Sequence, residues 1–420
     1  GKSNGEGRQS LFQWQRIQGF NLNVWVVLSG TLLARTSYFM AWPFLIVFLF
    51  EDYQISAFET GTMLASSAVI GTLAGVYSGY ISDLFGRKWV MISGSLLAGG
   101  TYAAIGFADQ LWQFYVLIML CGLMRPMIEA PAKAVIGDNL SDAQDRELAL
   151  NLRYFLINVG GALGPLIGIT LALSSPQQLF VITGMVFAAY AVWLFIGFMY
   201  QPEQRQHQVS DVPKFGRLLQ VISKDKIFMV LVFANILMMF VYGQIEASIP
   251  QIIVRGSIED AAALIASLVM INTVTIVTLQ FPVLKLLENV STFQRTRIGM
   301  VLMGVAQIAF MLSPLDAVYG WMIACFILSL GEVIAFPSLS VQIDQLAPAH
   351  LRGTYHGAAS VYALGFALAP FIGGIMLQWF SATWLFALCF ICCVIMYLLY
   401  GYVESKVNEN TSAEMQPLDC

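Results

Sequence analysis

The sequence predicts an all-α membrane protein, twelve transmembrane helices arranged as two pseudo-symmetric six-helix bundles. Three observations point there. Over 420 residues the chain is 58% hydrophobic and 11% charged, against the ~25% charge of a soluble domain. Its mean hydropathy is +0.72. Apolar runs of the ~20 residues a spanning helix needs recur along the whole chain, six on each side of a polar stretch at 201–226.

The runs lie near 22–50, 57–82, 89–108, 111–137, 147–173 and 178–200, then near 227–254, 260–287, 297–315, 317–346, 352–378 and 382–403. This divides the chain into a bundle at 1–200, a central cytoplasmic loop at 201–226, a second bundle at 227–403 and a tail at 404–420. Cytoplasmic ends carry an excess of Lys and Arg. With the N-terminus inside, those ends collect Lys2, Arg8, Arg16, Arg87, Lys88, Arg146, Arg205, Lys214, Arg217, Lys224, Lys226, Lys285, Arg295, Arg297, Arg352 and Lys406, and the opposite loops hold Arg255. Both termini and the central loop are therefore expected in the cytoplasm of a multi-pass inner-membrane protein. The polar, amphipathic opening stretch is not the pattern of a cleavable signal peptide.

The halves repeat each other. "PAKAVIGDNLSDAQDR" (131–146) and "PSLSVQIDQLAPAHLR" (337–352) match at one offset, pairing Pro131 with Pro337, Val135 with Val341, Asp138 with Asp344, Leu140 with Leu346 and Arg146 with Arg352. The segments end the fourth and tenth runs, so the duplication preserves orientation. Parallel six-span repeats are the layout of one large class of secondary transporters.

Two helix-end motifs sharpen this. In "GYISDLFGRK" (79–88), Gly79 permits close helix approach, Asp83 ends its helix, Gly86 permits a tight turn, and Arg87 and Lys88 face anionic lipid or a carboxylate. The stretch resembles the G-x-x-x-D-x-x-G-R-K loop signature of the major facilitator superfamily, at that family's position between spans two and three. The resemblance implies that Asp83 acts across the interface between halves and that Arg87 pairs with Asp138. The second-half counterpart, "LKLLENVSTFQR", lacks the glycine, so gating charge is expected mainly in the first half. In span five, "NVGGALGPLIGIT" spaces Gly160, Gly164 and Gly168 four apart with Pro165 between. Small residues at that spacing give a smooth packing face. The stretch resembles the G-x-x-x-G-P-x-x-G motif of major facilitator antiporters.

Charges inside the spans mark the candidate pathway. They are Arg35, Arg125, Glu129, Glu246 and Glu332, with Lys133 about two turns from a helix end. Arg125, Glu129 and Lys133 are four apart and form one stripe, which is either a pathway wall or a salt-bridge ladder. Glu246 and Glu332 have no basic neighbour one turn away. Burial disfavours the charged form of such a carboxyl, which suits it to taking up and releasing protons.

"GEVIAFPSLSVQIDQL" is similar to span ten of 12-span drug/proton antiporters of the lactococcal multidrug type, and the acid four residues before Pro250 is similar to their span seven. That resemblance implies proton coupling by Glu332, with Glu246 as its partner. Partial similarity to proton-dependent peptide transporters is carried by Arg35 and Tyr38 in "ARTSYFMAWP" and by "GLMRP" in span four. Leu32 and Ala34 stand where those symporters carry acids. Arg35, Tyr38, Trp42, Arg125, Glu129, Lys133, Tyr242, Glu246 and Glu332 are thus the expected substrate-binding set.

The expected function is a proton antiporter exporting a small organic solute, with a proton symporter for peptides or similar zwitterions as the alternative. Its partners would be that solute, protons and membrane lipids, in a monomer with no cofactor. The chain carries no nucleic-acid motif or basic cluster. Catalysis and metal binding are not expected. His207, His350 and His356 read as residues in or next to loops, and Cys389 and Cys392 lack a second pair. Cys121, Cys325 and Cys393 also lie in apolar runs, leaving Cys420 in the tail.

Overall fold

A bilayer offers the backbone no hydrogen-bond partner, so apolar runs of this length become helices that satisfy their own amides. In a computed structural model, residues 11–55, 57–171, 176–203 and 211–415 are described. Lys2, Arg8, Arg205, His207 and Cys420 lie outside them.

The first six spans are the helices Leu22–Tyr53, Ala57–Phe85, Arg87–Phe107, Leu111–Asn139, Ala143–Leu171 and Pro176–Tyr200. Spans eight, nine, ten and twelve are Ala261–Leu286, Thr292–Leu312, Val318–Leu346 and Ala382–Met415. Spans seven and eleven are broken. Span seven runs Lys226–Gly243 and resumes at Ser248–Val254. Span eleven runs Arg352–Ala359, tightens to a 3-10 turn at Ser360–Ala363 and resumes at Leu364–Trp379.

Among the described residues eleven helical segments are long and apolar enough to cross a membrane. The other expected span, Ala143–Leu171, has the length but carries Asp145, Arg146, Glu147 and Arg153 in its first part. Asp225, Asp260 and Ser291 start three of the second-half helices by accepting the N–H of Phe228, Ala263 and Gln294 at 3.1, 3.1 and 3.2 Å, the usual N-cap bond.

Two boundaries differ from expectation. The stretch 201–226 is not all loop, because Phe215–Lys224 is a helix that buries Leu218 and Ile222. Phe215 packs edge-on against Tyr77 of span two at 5.3 Å. Its apolar face gains by leaving water, which the polar composition of the surrounding stretch masked. The residues expected as a tail continue span twelve as helix to Met415.

Buried apolar side chains form two clusters. One draws on residues between Leu11 and Phe198 plus Val341, the other on residues between Val212 and Val403. Within the first, span five packs its glycine face on span one. A Cβ at Gly164 would stand 2.7 Å from both the Thr36 carbonyl and the Phe39 Cβ, and one at Gly160 would stand 3.0 Å from the Arg35 Cβ. Gly168 is also buried. Gly164→Leu should therefore cost about 1–3 kcal/mol of stability, read as a lower melting temperature in detergent. Gly161→Ala, where the nearest ring atom is 3.8 Å away, should leave it unchanged.

Candidate functional site

Glu332 stands at the middle of span ten, in a helix from Val318 to Leu346, and is 2% exposed. Its two oxygens are held by neutral donors. The Tyr154 hydroxyl of span five donates to one at 2.9 Å, and Asn272 Nδ2 of span eight donates to the other at 2.8 Å. Asn272 also donates to Ser329 Oγ at 3.0 Å, and the Tyr242 hydroxyl reaches Asn272 Oδ1 at 3.4 Å. Among the described residues no ion pair reaches Glu332. Tyr154 belongs to the first half and Glu332 to the second, so this carboxyl bonds across the interface. Hydroxyls rotate and can accept as well as donate, so the same cage serves a carboxylate or a protonated acid.

Glu246 differs from expectation. It lies in the break between the two parts of span seven, and it is exposed rather than buried. Pro250 explains this. Its ring crowds the carbonyl four residues back, that of Glu246, and it offers no N–H to close the helix there. Gln244 and Ser248 tie off the break with their side chains, Ser248 Oγ to Gln244 Oε1 at 2.5 Å and Gln244 Nε2 to the Ala369 carbonyl at 3.3 Å.

The first half holds a basic cluster. Glu129 accepts from Arg35 of span one and, at 3.2 Å, from Arg125 one turn before it. Arg125 also sits over the Tyr38 ring at 5.3 Å, and Tyr38 stacks on Trp42 at 5.4 Å. The span-four stripe is thus partly a ladder, but Lys133 makes no ion pair among the described residues.

At the end of the molecule carrying most Lys and Arg, an ionic network joins the halves. Gly86 makes the turn after span two with φ 97°, a backbone conformation that glycine adopts without penalty. It aims buried Arg87 back at Asp83 and at Asp138, 2.9 Å from Arg87 Nε. Lys88 points away, over the Trp89 ring at 4.7 Å. Asp83 is buried and accepts three bonds from the start of span eleven: Gly353 N–H at 3.0 Å, Thr354 N–H at 2.7 Å and Thr354 Oγ1 at 2.5 Å. A carboxylate at a helix N-terminus also meets the positive end of the helix dipole. The helices touch here because Gly79 has no side chain, and a Cβ on it would overlap the Gly353 carbonyl.

The repeated acid–arginine pairs cross over. Arg146 binds Asp344 at 2.9 Å and Arg352 binds Asp138 at 3.3 Å, while Arg295 pairs with Glu147. Charge at this interface is therefore contributed by both halves. The second half gave up the loop motif but kept the acid and arginine that the repeat shares. At the same end Arg16 holds Asp142 at 3.1 Å and Asp145 at 2.9 Å. The Gln144 N–H and the Arg16 guanidinium hold the Asp142 carboxyl below its usual range.

The profile of the Major Facilitator Superfamily matches residues 27–363. The chain belongs to that superfamily. It is similar to the uncharacterized transporter YqjV of Bacillus subtilis, 30% identical over 362 residues that cover 85% of this chain and 87% of that one. It is 24% identical to a Na(+), Li(+), K(+)/H(+) antiporter of Planococcus maritimus, covering 95% of this chain and all of that one. The crystal structure of the human organic anion transporter MFSD10 shares the fold, with a TM-score of 0.74 at 15% identity over 90% of this chain and 99% of that one. This major facilitator protein is a transporter and not an enzyme.

Several residues of the site escaped the sequence reading. Arg153 sits ten residues into its helix and is 6% exposed. Tyr154 follows it, and Asn272 interrupts an apolar run. The available signal was depth, since a polar residue ten positions into a helix lies ~15 Å along it. His356, expected beside a loop, is buried inside the helix Arg352–Ala359, because that helix already begins at Arg352.

Proposed function

We propose that this transporter is a proton antiporter that exports a small organic solute by alternating access. One observation carries the reading. Glu332 is a buried carboxyl at mid-span whose bonding partners are neutral and include a tyrosine of the other half. An unpaired carboxylate is costly in a low-dielectric site, so its proton occupancy would bias the interface that Tyr154 spans. The Planococcus relative is named for exchanging cations with protons, which supports exchange as the mode. The aromatic and basic wall of Tyr38, Trp42, Arg35 and Arg125 favours an organic solute over a bare metal cation, which would meet repulsion there.

In this reading Glu332 is the primary coupling residue and exposed Glu246 a secondary one. The network around Asp83, Arg87 and Asp138 is the gate, with Gly79 and Gly86 setting its geometry. The glycine face of span five, Gly160 to Gly168, is the scaffold of an antiporter. The chain works as a monomer in the cell membrane with its basic end in the cytoplasm, as two bundles joined through the segment 201–226.

A second reading, proton symport of a zwitterion, draws on the basic cluster of the first half beside the carboxyl of Glu332 in the second. One experiment separates the two. Proteoliposomes holding a pH dye are exposed to external dipeptides, aromatic acids or aromatic amines. Antiport predicts that the lumen turns alkaline as the solute enters. A lumen that turns acid indicates symport, and entry with no pH change contradicts proton coupling.

A further inference from the structure

The charge balance of the first-half wall does not close. Glu129 lies within electrostatic reach of four cations, Arg35, Arg125, Arg153 and Lys133. Arg35 and Arg125 bind it directly. Arg153 and Lys133 have no acid partner among the described residues. Arg153 is 94% buried by its 6% exposure and lines a pocket inside the first bundle with Arg35, Tyr38, Tyr102, Phe187 and Tyr190. Two polar atoms buried at this pocket's residues lack any hydrogen-bond partner among the described residues: Arg153 Nε and the Tyr190 hydroxyl, on a residue 2% exposed. His356 Nε2 is a third such atom, within electrostatic reach of Lys133 and Arg153. The lining also carries Arg125, Glu129, which Arg35 and Arg125 already bind, and aliphatic side chains such as Met124 and Ile128, with Tyr102 stacked on Phe187 at 5.1 Å.

A buried guanidinium without an anion is unfavourable, and its planar fork matches a carboxylate through two parallel bonds. We propose that this pocket binds the carboxylate of an aromatic organic acid, with Arg153 and Tyr190 donating to it. That the acid is also cargo rests on the transporter reading above; the binding itself does not.

The test is calorimetric titration of the purified protein with sodium benzoate, benzamide and sodium chloride. Benzoate should bind at least about tenfold more tightly than its neutral isostere, a difference of ~1.4 kcal/mol, and chloride should not displace it at equal concentration. Arg153→Gln should weaken benzoate by about tenfold or more and leave benzamide unchanged, with Arg153→Lys in between. Should Arg153→Gln fail to give monodisperse protein, Tyr190→Phe carries the test and is expected to weaken benzoate selectively. Equal binding of benzoate and benzamide, or full benzoate affinity in the variants that fold, would overturn the proposal. Displacement by equimolar chloride would make this a halide site and overturn it too. Equilibrium binding moves no protons across a membrane, so a failed antiport reading would leave a positive result standing.

Discussion

Asp83→Asn should open the molecule at its basic end while leaving it folded. The wild-type carboxylate binds Arg87 and receives three donors from Gly353 and Thr354 of the other half. Asparagine keeps one acceptor oxygen and loses the charge. Hydrogen bonds to charged groups contribute about 1.5–3 kcal/mol each, so losing even one moves a two-state equilibrium by roughly 10- to 100-fold. Unfolding is not the expected result, because Arg87 stays paired with Asp138 and the bundles keep their separate cores. Spin labels at Ser141 and Ala349, one on each half, should report a longer distance in the variant. An unchanged distance distribution would show that Asp83 does not hold the halves together.

Hydropathy made the spans legible because a bilayer leaves the backbone little choice. The internal repeat made Asp138, Asp344, Arg146 and Arg352 legible as equivalents, and the loop resemblance implied the pair Arg87–Asp138. That the repeated arginines reach the acids of the other half was not legible, since pairing depends on how two bundles meet and no run of residues encodes that locally. Glu246 was misread for a related reason. Counted along an apolar run it looks buried, but Pro250 breaks the helix there and the residue is exposed. Arg153 was not legible because it sits near charged Asp145, Arg146 and Glu147, and only the helix start at Ala143 shows how deep it lies. Asn272 and Tyr154 are ordinary residues in apolar helices until three helices bring them to one carboxyl.

Glu332→Gln is the second large effect expected. Glutamine mimics the protonated acid in shape and charge, and its carbonyl and amide can still bond Tyr154 and Asn272. Folding should therefore survive, with a melting temperature near wild type. What is lost is the ability to change charge between the two sides. The variant should carry solute down its gradient and exchange it, yet fail to concentrate it. Glu246→Gln, at an exposed position without side-chain bonds among the described residues, should show a weaker form of the same defect.

The most direct test sets two assays side by side in the same vesicles: accumulation driven by an imposed pH gradient, and counterflow of labelled solute without one. The account predicts that Glu332→Gln retains counterflow near the wild-type rate while its pH-driven accumulation falls to the equilibrium level. Full pH-driven accumulation in Glu332→Gln would contradict the assignment of coupling to this carboxyl.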